Sequence, residues 1–314
     1  MKIVFLDIAT MGDDIELMPL QKRGTLISYP LSDAQQARER IKDADVVIVN
    51  KQHIGKEEID AAKNLKLICV SATGVNNINV EYAKSRGIPV MNVVDYSTES
   101  VAQITFGSLL TLVNNTIYFD AVVKDGRYSA NLHFTDTGRF FHELKGLKFG
   151  IIGMGNIGKR VAQIAACFGC EVSYYSTSGI AHCSDYTSLS LEKMISLSDI
   201  VSIHSPLNER TVNLITMNEL RKMKPTAILI NMGRGGIVNE SDLADALNLD
   251  IIAGAVVDVY QKEPIPSDHP YLNLKRPDKM VLTPHIGWAS IEARRTLMER
   301  LGENIDSITK QNSL

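Results

Sequence analysis

Three side chains in the C-terminal half of the 314-residue chain are of the types that carbonyl reduction needs. Hydride arriving at a carbonyl carbon leaves negative charge on the oxygen, which then requires a proton and an electrostatic clamp. His285, in Thr283-Pro284-His285-Ile286-Gly287-Trp288, can give the proton from a stiff turn after Thr-Pro. Glu263, in Asp258-Val259-Tyr260-Gln261-Lys262-Glu263-Pro264, would favour the imidazolium if it lay beside that ring. Arg234, between Gly233 and Gly235, offers a planar fork that matches a carboxylate with two parallel hydrogen bonds and can polarise the carbonyl. Taken singly, each has a plainer use as a turn arginine, a solvated loop acid or a packed histidine. Together they divide one reaction among three residues.

A second motif supplies the place for a hydride donor. Gly153-Met154-Gly155-Asn156-Ile157-Gly158 follows the apolar run 149–152 and precedes a helical stretch expected at 159–168. Gly153 permits a tight turn, Gly155 lets the backbone approach a pyrophosphate, and Gly158 lets helix and strand pack closely. The helix N-terminus then turns free N–H groups and a positive dipole end toward the phosphates. After the next strand, 171–175, NAD-specific sites usually place an acid on the adenosine ribose. This chain has Ser176-Thr177-Ser178 there, and Glu171 opens the strand at its wrong end. Losing the acid removes repulsion against a 2′-phosphate, yet no Lys or Arg follows until Lys193. NAD and NADP both stay open, with a slight inclination to NAD. Cys167-Phe168-Gly169-Cys170 has redox or metal spacing, but it falls where a helix packs into a strand, and no metal is expected.

The elements that must position these residues read as α/β. Apolar, β-branched runs recur at 3–6, 46–49, 67–70, 149–152, 200–203, 227–230, 252–257 and 280–282, separated by amphipathic stretches. Near-continuous apolar runs suit parallel strands covered on both faces by helices. Arg234, Glu263 and His285 each follow one such run, at the carboxyl ends where open α/β sheets bind ligands. The segment 101–118, preceded by Ser97-Thr98-Glu99-Ser100, reads as one long capped helix, and 126–138 as a polar and aromatic interruption. The expected domains are 1–98 with 287–314 for substrate and 99–286 for the dinucleotide. The last helix, 291–308, would pack back on the N-terminal portion, and Trp288 would pack between domains or wall the substrate pocket.

Composition narrows the partners. A formal charge of -3 shows no basic excess, so neither nucleic acid nor an anionic membrane surface is implied. No apolar run approaches the roughly 20 residues of a spanning helix, and the polar Asp7 so soon after Met1 argues against a signal peptide. Four cysteines in a chain this long suit a reducing compartment, so the expected location is cytoplasmic.

With these residues in hand, the chain resembles the D-isomer-specific 2-hydroxyacid dehydrogenase family over essentially its whole length, and within it the glycerate dehydrogenase (hydroxypyruvate reductase) branch. The resemblance is carried by Ala72-Thr73-Gly74-Val75-Asn76-Asn77, by Tyr96-Ser97-Thr98-Glu99-Ser100-Val101-Ala102-Gln103, by the glycine motif, and by His204-Ser205-Pro206-Leu207. The segments 231–235, 258–264 and 283–290 complete it. It implies a Rossmann dinucleotide-binding domain and a flavodoxin-like substrate domain made from both chain ends. It also implies Arg234, Glu263 and His285 as the catalytic triad. Thr73, Gly74 and Val75 would bind the substrate carboxylate through backbone N–H groups, with Arg234 and His285 also on the substrate. Asp258 would hold the nicotinamide carboxamide. Further cofactor contacts would come from Thr98, Asn156, Ile157, Ser176, His204, Pro206, Thr211, Met232, Gly233, His285 and Gly287. A homodimer built on the cofactor domains, with 132–141 near its interface, is implied as well.

Two functions of different class fit. One is an NAD(P)-dependent oxidoreductase acting on glycerate/hydroxypyruvate, glyoxylate or lactate-like acids. The other is a corepressor-like protein that senses the dinucleotide without turning it over. Formate dehydrogenases of similar fold pair their histidine with an amide, so Glu263 speaks against that activity, and no regulatory domain of the phosphoglycerate dehydrogenase kind is expected.

Overall fold

Runs such as Val46–Val49 and Leu67–Val70 are buried at every position, as strands must be when helices cover both faces of a parallel sheet. In the computed structural model, which describes residues 1–311, the chain divides into two compact units. One is Met1–Ser97 together with the segment from Trp288 onward, and the other is Thr98–Gly287.

The first unit holds β1 (Lys2–Phe5), α1 (Met18–Gln21), β2 (Thr25–Ser28), α2 (Ala34–Arg40), β3 (Val46–Val49), α3 (Lys56–Ala61), β4 (Leu67–Val70), α4 (Val80–Ser85) and β5 (Val90–Met91). Its sheet runs β2-β1-β3-β4-β5, all parallel, which is the flavodoxin-like order. The last helix, Ile291–Gln311, buries Leu297, Met298, Leu301 and Ile305 in the same cluster as Ile3, Phe5, Ile48 and Cys69. Trp288 packs on that cluster with its ring edge-on to Tyr96, centroids 6.5 Å apart.

The second unit opens with α5 (Thr98–Val113) and α6 (Thr116–Lys124), then alternates β6 (Lys148–Ile152), α7 (Asn156–Cys167), β7 (Glu171–Tyr175), β8 (Thr187–Ser188), α8 (Leu191–Leu197), β9 (Ile200–Ile203), α9 (Met217–Leu220), β10 (Ile228–Asn231), α10 (Glu240–Asn248), β11 (Gly254–Val257) and β12 (Met280–Leu282). Its parallel sheet runs β12-β11-β10-β9-β6-β7-β8. Strand order reverses between β6 and β9, and the crevice outside their carboxyl ends is where a doubly wound sheet of Rossmann type takes its ligand.

Two expectations need correction. The single helix expected at 101–118 is two, because Asn115 takes a left-handed conformation (φ 51°) that asparagine tolerates better than most residues and that no α-helix continues through. The helix after the glycine motif starts at Asn156 rather than 159, so Gly158 lies inside its first turn.

Candidate active site

The glycine motif has the backbone geometry that a phosphate seat would need. Gly153 sits at φ 92°, and a Cβ there would come within 3.0 Å of the His204 and Ser205 backbone, so the turn after β6 lies directly on the loop after β9. Gly155 is the N-cap of α7 and makes no side-chain cap bond, and a Cβ there would meet nothing within 4 Å. Open space at a helix N-terminus is what a pyrophosphate needs. A Cβ on Gly158 would drive into the Gly153 carbonyl oxygen, which ties the first turn of the helix to the glycine turn.

The loop after β9 adds polar atoms that the protein leaves unsatisfied. His204 Nε2 lies 2.8 Å from Ser202 Oγ, while its Nδ1 and the Ser205 hydroxyl are out of solvent without a hydrogen-bond partner. Burial pushes the His204 imidazole down to about 3, so the ring is neutral at physiological pH. Orphaned buried polar groups of this kind are rare, and two beside the glycine turn fit a ligand held in the β6/β9 crevice. The residues present therefore suit a dinucleotide.

The three acid–base candidates follow three neighbouring strands: Arg234 after β10, Glu263 after β11 and His285 after β12. Adjacent parallel strands lie about 4.8 Å apart, so their carboxyl ends deliver the three loops to one edge of the sheet. His285 Nδ1 lies 2.8 Å from both Glu263 carboxylate oxygens, with each side chain about one-quarter exposed. A carboxylate can only accept, so Nδ1 carries a hydrogen and Nε2 is the nitrogen left for a ligand. Arg234 is half-buried, its Nη1 donating to the Gly233 carbonyl at 2.8 Å. Its turn abuts the Glu263 loop, since a Cβ on Gly235 would overlap the Tyr260 carbonyl and the Gln261 nitrogen.

Buried groups hold these loops. The Asp258 carboxylate accepts from the Thr283 hydroxyl (2.6 Å), Ile286 N–H (2.9 Å) and Gly287 N–H (2.9 Å). It thereby brackets His285, whose backbone is left-handed at φ 56°. Tyr260 donates its N–H to Glu263 Oε1 and its hydroxyl to the Thr283 carbonyl. Glu240, at the start of α10, accepts from Gln261 N–H at 2.7 Å and pairs with buried His269 at 2.9 Å.

The remaining residues singled out in the sequence occupy strand ends or helix starts. Thr98 opens α5, Asn156 and Ile157 open α7, and Ser176 follows β7. Met232 and Gly233 follow β10, with Met232 buried. Pro206 is exposed, and its carbonyl accepts from the buried Thr211 hydroxyl at 2.7 Å. In the first unit, Thr73, Gly74 and Val75 follow β4; Thr73 donates to the Val93 carbonyl (3.1 Å), and its own carbonyl accepts from Asn92 (2.6 Å). Cys167 is exposed whereas Cys170 is buried with its thiol on the Leu144 carbonyl.

Residues 106–287 match the model of the D-isomer specific 2-hydroxyacid dehydrogenase NAD binding domain. A hydroxypyruvate reductase of Blautia hydrogenotrophica is 34% identical over 99% of this chain and 97% of its own. The chain belongs to the D-isomer-specific 2-hydroxyacid dehydrogenase family. Solved structures agree. An acyclic imino acid reductase in complex with NADPH and D-Arg has a TM-score of 0.88 at 29% identity, covering 99% of this chain and 98% of that one. D-Lactate dehydrogenase of Aquifex aeolicus, complexed with NAD and lactic acid, gives 0.84 at 26% identity over 98% and 96%.

As a member of the 2-hydroxyacid dehydrogenases, the chain is an NAD(P)-dependent oxidoreductase acting on CH–OH donors. Within this dehydrogenase, sequence reasoning singled out His285 and Glu263, which the fold brings into contact, but missed Glu240, His269 and Tyr260 as braces of the Glu263 loop. A histidine and a glutamate 29 residues apart carry no local signal; only the fold of α10 against the loop after β11 brings them together.

Proposed function

We propose that the protein reduces a small 2-oxo acid to its D-2-hydroxy acid, and catalyses the reverse, with hydroxypyruvate/glycerate or glyoxylate as substrate. The observation that carries this reading is the His285–Glu263 pair, both carboxylate oxygens lying 2.8 Å from Nδ1 at the edge where Arg234 also emerges. The bound dinucleotide supplies the hydride. His285 gives the proton from Nε2 to the carbonyl oxygen, and Glu263 stabilises the positive ring before transfer. Arg234 clamps the substrate carboxylate and polarises the carbonyl. Thr73, Gly74 and Val75 are the substrate contacts proposed for the first unit, through their backbone N–H groups. The name of the Blautia relative supports the choice of hydroxypyruvate.

Asp258 is proposed to accept the nicotinamide carboxamide. Its three hydrogen bonds leave one of the roughly four acceptor positions of a carboxylate. Gly153, Gly155 and Gly158 form the proposed phosphate seat, and Thr98, Asn156, Ile157, Ser176, His204, Pro206, Thr211, Met232, Gly233, His285 and Gly287 the proposed remaining contacts. A cytoplasmic location is supported by four free thiols. Among the described residues no helix is long and apolar enough to cross a membrane.

The test is a grid of NADH and NADPH, each against hydroxypyruvate, glyoxylate and pyruvate. Turnover with hydroxypyruvate or glyoxylate is expected. Cofactor binding without turnover of any 2-oxo acid would leave a dinucleotide-sensing protein instead.

A further inference from the structure

We infer that the chain prefers a dinucleotide bearing a 2′-phosphate, and that Arg210, with the turn Ser176–Thr177–Ser178 and His182, forms the seat for that phosphate. The inference rests on the functional reading above, since it presumes a dinucleotide lying across the glycine turn.

The place is fixed by topology. β7 pairs with β6, and Gly153 N–H donates to the Tyr175 carbonyl at 3.0 Å, so the residues after Tyr175 border the turn that would carry the pyrophosphate. In a doubly wound sheet this strand end meets the adenosine ribose. A ribose hydroxyl pair is bound best by a carboxylate, which repels a phosphate; a phosphate is bound by N–H and O–H donors and positive charge. Positions 176–184 contain no Asp or Glu.

Positive charge arrives from elsewhere in the chain. Arg210 lies in the loop after β9 and donates from Nη1 to the Ser178 carbonyl at 2.9 Å. That bond uses one of five guanidinium N–H donors and holds the fork at the turn. Its partner there is a neutral carbonyl, not a carboxylate, so the charge stays available to an anion. The loop that presents it is locked: Arg210 N–H donates to Asn208 Oδ1 (2.9 Å), Asn208 N–H to the Thr211 hydroxyl (2.8 Å), and that hydroxyl to the Pro206 carbonyl (2.7 Å). On the turn itself, Ser176 Oγ lies 3.0 Å from Ser178 Oγ and donates to the Ile180 carbonyl at 2.5 Å, while His182 Nε2 lies 2.9 Å from Ser178 Oγ. These bonds fold 176–182 into a compact polar turn with small side chains beside the guanidinium. The sequence leaves the cofactor open, with an inclination to NAD, because no base follows Ser176 closely. The fold supplies the base 32 residues beyond Ser178.

The experiment is equilibrium titration of the full-length protein, without substrate, against NADPH and NADH, and against adenosine 2′,5′-bisphosphate and adenosine 5′-monophosphate as probes of the adenosine end alone. NADPH is expected to bind about tenfold or more tighter than NADH, as one charge-assisted contact warrants. Arg210→Ala, an exposed position, should weaken NADPH and the bisphosphate by about tenfold while leaving NADH and the monophosphate within about twofold. Equal or tighter binding of NADH, or NADPH affinity indifferent to Arg210→Ala, overturns the inference and leaves the functional reading intact. Failure of both dinucleotides to bind overturns the functional reading itself.

Discussion

His285 occupies backbone that a residue with a Cβ rarely adopts, at a cost on the order of 1–3 kcal/mol that persists only where surroundings over-determine it. Asp258 supplies that determination from three donors around the ring-bearing turn. Arg234 is held differently, by a turn in which Asn231 accepts from Gly233 N–H and donates to the Arg234 carbonyl. Arg234→Lys keeps the charge but not the planar fork, so steady-state kinetics should show KM for the 2-oxo acid rising and kcat falling together. Unchanged kinetics would remove Arg234 from the site. At this scale the sequence was informative where a candidate residue sits in a turn marked by Gly or Pro, as Arg234 and His285 do. It was silent on Asp258 as the anchor of the His285 turn and on Arg210 at the Ser178 turn, because hydrogen bonds between distant loops leave no local pattern.

The elements most visible in the sequence are interior strands. β3, β4, β9 and β11 are buried at all four positions and stand out as near-continuous apolar runs, broken only by Ser202 in β9. β2, β5 and β8 escaped notice for the opposite reason: all three are edge strands, two of them only two residues long, and none has a fully buried side chain. Without a covered face on both sides, selection for continuous apolar residues lapses. The join between β6 and α7 gives the element-scale prediction. Gly158→Ala places a methyl group against the Gly153 carbonyl, and backbone on both sides leaves little room to yield. Dinucleotide affinity measured by titration should fall at least tenfold, with far-UV circular dichroism little changed, whereas Gly107→Ala, on the exposed face of α5 with open space around it, should cost far less affinity. Equal affinity in the Gly158 variant would show that the close helix–turn approach is not needed for binding.

For the molecule as a whole, family and two-unit α/β architecture were legible because strand runs, glycine motif and the Arg, Glu and His motifs follow in one consistent order; a homodimer is implied only by the resemblance. The structure adds a physical reason to propose a second copy of the chain as partner. Leu132 and Phe134 are 97% and 90% exposed, and Phe140 and Phe141 are exposed nearby, more apolar surface in one short segment than a monomer usually leaves to water. Light scattering should give twice the chain mass, and Phe134→Ser with Phe140→Ser should shift it toward one chain. A monomeric wild-type protein at all concentrations would dismiss the dimer. The claim on which the rest depends is that His285 protonates the substrate oxygen. Its most direct measurement is kcat for hydroxypyruvate reduction by His285→Ala against the wild type, at saturating substrate and cofactor. A fall of about 10²–10⁴-fold, with only a few-fold change in substrate affinity, is the result expected of a lost proton donor; turnover within a few-fold of wild type would contradict it.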